Sequence, residues 1–134
     1  MLFLAVLGCS EPHNPVSLPG GPGRSVRLEI CKKSRDRSHP DASFTVTEPR
    51  RVDAIVGVFR QGIRQTDHKC ADIGRVTITF ADGQSVNLEI LPGHRSANYE
   101  FRYQRETYWV PRDALFAALE EAGVDTEAIP KDCM

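Results

Sequence analysis

Six stretches of the chain alternate apolar and polar residues, the period of a strand with one face buried. Val26, Leu28 and Ile30 alternate with Arg27, Glu29 and Cys31, and Phe44 and Val46 alternate with Ser43, Thr45 and Thr47. Further on come Val76, Ile78 and Phe80, then Val86, Leu88 and Ile90, then Tyr99, Phe101 and Tyr103, then Tyr108 and Val110 around Trp109. Two other stretches repeat at helical spacing. Val52, Ile55, Val56, Phe59 and Ile63 come after Thr47-Glu48-Pro49, in which Thr47 or Glu48 suits a cap and Pro49 a first turn. Ala114, Leu115, Ala118, Leu119 and Ala122 come after Pro111 and end at Gly123, so each set forms one apolar stripe on an amphipathic helix. The order β-β-α-β-β-β-β-α predicts an α+β fold, an antiparallel sheet of about six strands with two helices on one face. Those helices are the only available cover for the apolar side of the strands.

Register is set by the turns. Between Phe80 and Ser85 a two-residue loop would set Ile78 against Asn87, apolar against polar on one face. A three-residue loop, Ala81-Asp82-Gly83 with Gly83 left-handed, pairs Ile78 with Val86 and Val76 with Leu88. For the last hairpin, a tight turn at Arg105-Glu106 sets Tyr103 opposite Tyr108 and Phe101 opposite Val110. Leu91-Pro92-Gly93-His94-Arg95 reads as a turn, because Pro fixes φ at one position and Gly admits positive φ at the next.

The first ten residues break these patterns. Met1 to Leu7 is continuously apolar, far too short to span a bilayer as a helix, and Gly8-Cys9 closes it. Secretory apolar regions run about 7–15 residues, whereas a buried strand can also be continuously apolar. The stretch from Ser10 to Gly23 favours the secretory reading, since it holds four Pro and three Gly, which neither a sheet nor a helix accommodates. Val6-Leu7-Gly8-Cys9 resembles the bacterial lipobox. The resemblance implies cleavage before Cys9 and lipidation of Cys9, hence a protein anchored to a bacterial membrane on the extracytoplasmic side of the cell envelope. The missing positive charge ahead of the run is what a start placed too far downstream would leave. The expected organisation is then a signal at 1–8, lipidated Cys9 with a Pro/Gly-rich linker over 9–23, and a single domain over 24–134. The globular part, with a Cys before a meander, a Leu-Pro-Gly-His turn and a Tyr-rich hairpin, faintly resembles small bacterial lipoproteins to which no activity attaches.

Charge and cysteines narrow the function. Lys and Arg total 17 against 18 Asp and Glu, so no global field draws nucleic acid. The basic run from Arg24 to Arg37 lacks the interleaved aromatics of a single-strand platform. Of four cysteines, Cys31, Cys70 and Cys133 remain beside Cys9, and in an exported domain cysteines pair oxidatively with a connectivity that sequence leaves open. A Cys31–Cys70 bridge would stabilise by about 3–4 kcal/mol through loop closure.

His68, Cys70 and His94 form an alternative set, either a zinc site completed by an acid or water or a Cys–His nucleophile pair oriented by Glu100 or Asp72. The spacing matches no zinc knuckle. Cys70 lies in a helix-to-strand connection rather than at a helix N-terminus, where a thiol is activated. No phosphate loop, dinucleotide fingerprint, nucleophile elbow or metalloprotease motif occurs. The expectation is a non-enzymatic binding domain without a cofactor, its partner an envelope protein. Its surface would centre on His94, Arg95 and Trp109, since Trp109 points away from the core shared by Tyr108 and Val110.

Overall fold

The computed structural model describes residues 14–31, 39–66, 71–92 and 97–131. Its element order is β1 (Gly23–Ile30), β2 (Ala42–Val46), α1 (Pro49–Arg60), β3 (Ile63–Gln65), β4 (Gly74–Phe80), β5 (Ser85–Leu91), β6 (Asn98–Tyr103), β7 (Glu106–Pro111) and α2 (Arg112–Glu121), then a 3₁₀ turn at Thr126–Ala128. The strands form one seven-stranded sheet in the order β2-β1-β4-β5-β6-β7-β3, antiparallel throughout. The α+β class and the two helices stand as expected. The additional strand is β3.

Helix α1 begins as its residues dictate. Glu48 is the N-cap and accepts from the backbone N–H groups of Arg51 at 3.2 Å and Arg50 at 3.4 Å, with Pro49 in the first turn. Val52, Ile55, Val56 and Phe59 are buried. The helix stops at Arg60, however, and Ile63, expected on the same stripe, opens β3 opposite Trp109. Its chain spacing imitates a helical turn, but its backbone bonds belong to β7.

In α2 the buried residues are Leu115, Phe116 and Leu119. Ala118 and Ala122 are only partly buried, and Ala114, expected inside, is exposed. Phe116 replaces it because the ring meets Tyr99 edge-on at 5.4 Å, an apolar partner that Ala114 is too short to reach. Tyr99 also donates its hydroxyl to the carbonyl of Pro130 at 2.8 Å. That bond ties down a C-terminal segment whose Val124 and Ile129 are buried.

The expected sheet face forms. Val76, Ile78, Phe80, Leu88, Ile90, Phe101 and Val110 are all buried against Val52, Ile55, Phe59, Leu115 and Leu119, while Val86 is partly covered. The void beneath the helices is only about 10 Å³, room for about one water and so too small for an organic ligand.

The first hairpin has the expected register, Ile78 with Val86 and Val76 with Leu88, and Gly83 has φ 93°. The last hairpin is shifted by two residues: Phe101 pairs with Tyr108, Tyr99 with Val110 and Tyr103 with Glu106. Its loop is Gln104-Arg105, both left-handed at φ 51° and 72°, the two-residue turn that matches strand twist. Because the shift is even, each side chain keeps its face.

The segment before β1, expected as free linker, is docked from Asn14 onward. Val16 donates its N–H to the Gly62 carbonyl at 2.9 Å, and Arg64 donates to the Asn14 carbonyl at 2.9 Å. Val16 is buried in the core cluster. Farther along, Arg60 Nη2 donates to the carbonyls of Pro19 at 2.5 Å and Gly21 at 2.6 Å. The prolines prevent a continuous ladder, but single bonds and a guanidinium clamp hold the strap in its place.

Candidate functional site

The sheet face away from the helices divides into two parts. Over β1, β4 and β5 it is a polar lattice. Arg75 reaches Glu29 at 2.9 Å and Arg27 approaches Glu29 at 3.6 Å, while Arg102 of β6 pairs with Glu89 at 3.3 Å. Thr77 donates to Asn87 at 2.8 Å, and the hydroxyls of Thr79 and Ser85 lie 3.1 Å apart. These groups satisfy one another across strands, the ordinary condition of a solvated sheet face.

Over β6, β7 and β3 the same face is different. Trp109 of β7 lies between Glu100 of β6 and Ile63 of β3 in register. Its indole N–H donates to Glu100 Oε2 at 3.1 Å, and Glu100 is only 3 % exposed. Half-buried Trp109, Ile63, Gln65 and Asn98, with exposed Gln61 and Pro111, line an open depression of about 340 Å³. Strand alternation explains the position of Trp109, since its neighbours Tyr108 and Val110 face the core. The charge-assisted bond to Glu100 fixes the ring's orientation.

Of the other expected site residues, Cys9, His68, Cys70, His94, Arg95 and Cys133 lie outside the described residues. The proposed contact set of His94, Arg95 and Trp109 is therefore represented by Trp109 alone. Cys31 follows β1 and is buried, although its strand parity puts it on the polar side. It is a thiol with no disulfide partner among the described residues. It lines a hollow of about 120 Å³ with Glu29, Asp72, Gly74, Arg75 and Glu89, and its backbone N–H donates to the Ile73 carbonyl at 2.7 Å. Among the described residues no three His, Cys, Asp or Glu side chains gather to hold a metal. No described helix is long and apolar enough to cross a membrane.

Two tyrosines and one carboxylate have shifted acidities. Burial pushes the Tyr99 phenol far above its ordinary value. Burial also raises Tyr108, with Glu106 adding to the effect. The backbone and side-chain bonds from Gln84 hold Asp82 below the usual carboxylate value. Tyr99 and Tyr108 serve packing and Asp82 serves the turn, so none supplies a proton-transfer group to the Trp109 depression.

Alternation in the sequence points to Trp109 but not to its neighbours. Ile63 continues the helical spacing of α1, and Glu100 gives no local sign that it is buried. The one available signal is parity, which places Glu100 and Trp109 on the same face once the hairpin is closed. No protein-family model matches the chain, and comparison with curated proteins and with solved structures finds no significant match.

Proposed function

We propose that the protein is held to the extracytoplasmic side of a bacterial membrane by lipid at Cys9, and that its domain is a non-enzymatic module binding an envelope protein through the Trp109 depression. The observation that carries this reading is the depression itself. On a sheet face whose β1, β4 and β5 part carries paired polar groups, Trp109 and Ile63 line an open hollow of about 340 Å³. A tryptophan already oriented by a buried acceptor has little side-chain freedom left to lose on binding, and tryptophan is among the residues at which binding energy concentrates. His94 and Arg95 are kept with Trp109 as proposed contacts.

The docked strap supports a short tether. Cys9 and Asn14 are five positions apart, a span of at most about 18 Å. A linker free as far as Gly23 would permit some 40 Å or more by the same rule. Lipid at Cys9 would hold the β3 side of the domain near the bilayer, and a partner in or on that membrane suits this distance.

Photo-crosslinking in intact cells tests the surface. A photoreactive residue at Pro111 is expected to trap one defined envelope protein, whereas the same residue at Asn87 in the polar lattice traps none, and Trp109→Ala abolishes the product. Equal labelling from both positions would overturn the assignment. For the anchor, Cys9→Ser expressed from a complete signal is expected to leave the membrane fraction and lose the acyl mass. Stoichiometric zinc in the purified protein, or a hydrolytic activity abolished by Cys70→Ala, would instead favour the site formed by His68, Cys70 and His94.

A further inference from the structure

Among the described residues, the β2 edge ends the sheet without protection. Ala42-Ser43-Phe44-Thr45-Val46 contains no charge and no proline, and its pairing with β1 runs without a bulge from Val26–Val46 to Ile30–Ala42. Among the described residues no hydrogen bond reaches β2 from anything other than β1. Charge, proline, bulges and covering segments are the devices by which sheets blunt an edge, and among the described residues this strand has none. Phe44 is only partly buried at the rim of the core, because α1 packs over β1.

We propose that β2 pairs antiparallel with β2 of a second copy of the chain, about a two-fold axis through Phe44, joining two sheets into one. The pairing is selected by face and by charge. Any antiparallel register centred on a residue keeps apolar side chains opposite apolar ones, whereas a register centred between residues sets Phe44 against a polar neighbour. Centring on Thr45 brings Ala42 opposite Glu48. Centring on Ser43 places Phe44 against Ala42, which leaves each ring without an aromatic partner. Centring on Phe44 pairs ring with ring, Ala42 with Val46 and Ser43 with Thr45, all within the strand. Continued outward, it sets Asp41 against Thr47 and Pro40 against Glu48, so no like charges meet. The resulting interface is self-complementary, as two-fold association requires, and its central aromatic pair covers the exposed part of Phe44.

The test is the mass of the full chain carrying Cys9→Ser, so that lipid does not itself drive association, measured by sedimentation over a range of concentrations. The expected result is twice the chain mass of 14.9 kDa. Phe44→Lys and Phe44→Glu are each expected to sediment as folded monomers, with unchanged far-ultraviolet dichroism. Mixed one to one, they are expected to recover the dimer, because opposite charges then meet at the axis. A chain that stays monomeric at millimolar concentration, a dimer that survives Phe44→Lys, or two monomeric variants that do not recombine would each overturn the proposal. So would a monomer whose β2 amides change only on adding a different protein.

Discussion

The two outer strands of the sheet end it in opposite ways. Strand β3 has three residues, carries Arg64 in an ion pair of 2.9 Å with Glu106, and is covered by the strap through Asn14 and Val16. Strand β2 has five residues, is uncharged, and among the described residues hydrogen-bonds only to β1. The described parts of both terminal segments bond on the β3 side, the strap beside β3 and the tail from Val124 to Pro130 through Tyr99 of β6. An open edge therefore reflects where the chain's covering segments go. The side with the covered edge also carries the Trp109 depression, so the proposed partner surface lies on a face whose neighbouring edge cannot extend.

The largest expected contrast comes from one residue type placed on each side. Phe101 is fully buried, meets Phe59 edge-on at 5.2 Å and stacks on Tyr108 at 5.4 Å. Phe101→Ala is expected to cost about 3–5 kcal/mol in urea unfolding. Phe44→Ala removes a ring that is already half in solvent, and is expected to cost about 1 kcal/mol in the monomer. Equal losses would show that the β2 side is as firmly packed as the other.

The strap gives the second contrast. Val16→Ala deletes two buried methyl groups and is expected to cost about 1–2 kcal/mol at ~0.8 kcal/mol per methyl-sized group. Hydrogen exchange is expected to locate the loss. The Arg64 amide, bonded to the Asn14 carbonyl, should lose protection while the β4 and β5 amides keep theirs. Uniform loss across the sheet would mean that the strap is part of the cooperative core rather than a cover for one edge.

Tyr99 sharpens the same comparison through pH. Because burial raises its pKa above the ordinary 10.0, the folded state holds the phenolic proton more tightly than the unfolded chain does. Its contribution is fully present below pH 10 and falls as pH rises beyond it. Tyr99→Phe is expected to cost about 1 kcal/mol near neutrality through loss of the bond to Pro130, and to flatten the alkaline decline. An unchanged alkaline profile would assign that decline to other groups.

What the sequence disclosed tracks how local each determinant is. The β4–β5 register was legible because Asp82-Gly83 states its own turn chemistry and the faces on either side exclude the alternative. The β6–β7 register was not, since Gln104 and Arg105 carry no sign that both adopt positive φ. Strand β3 was hidden because its three residues continue the spacing of α1, while its partner Thr107–Trp109 lies more than forty positions on. The strap was hidden by composition: four prolines between Ser10 and Gly23 describe the local conformation but not the carbonyls and amides that Arg60, Arg64 and Gly62 engage across the fold. For the candidate site, parity gave the direction of Trp109. The depression depends on Ile63 and Glu100, whose placement is tertiary.

The smallest expected effect concerns β2 itself. Thr45 is exposed on the polar face of that strand, so Thr45→Lys removes no buried group and breaks no hydrogen bond found in the structure. Surface changes of this kind usually stay within about 0.5 kcal/mol, and thermal unfolding of the dilute monomer should move accordingly. A lysine on an edge strand is also a common means of discouraging further strand addition. The variant is therefore expected to lower the dimer fraction at a given concentration, by less than Phe44→Lys does, measured by light scattering. Loss of thermal stability well beyond that range would show that β2 already has a partner within its own chain, and the contrast between the two edges would fail.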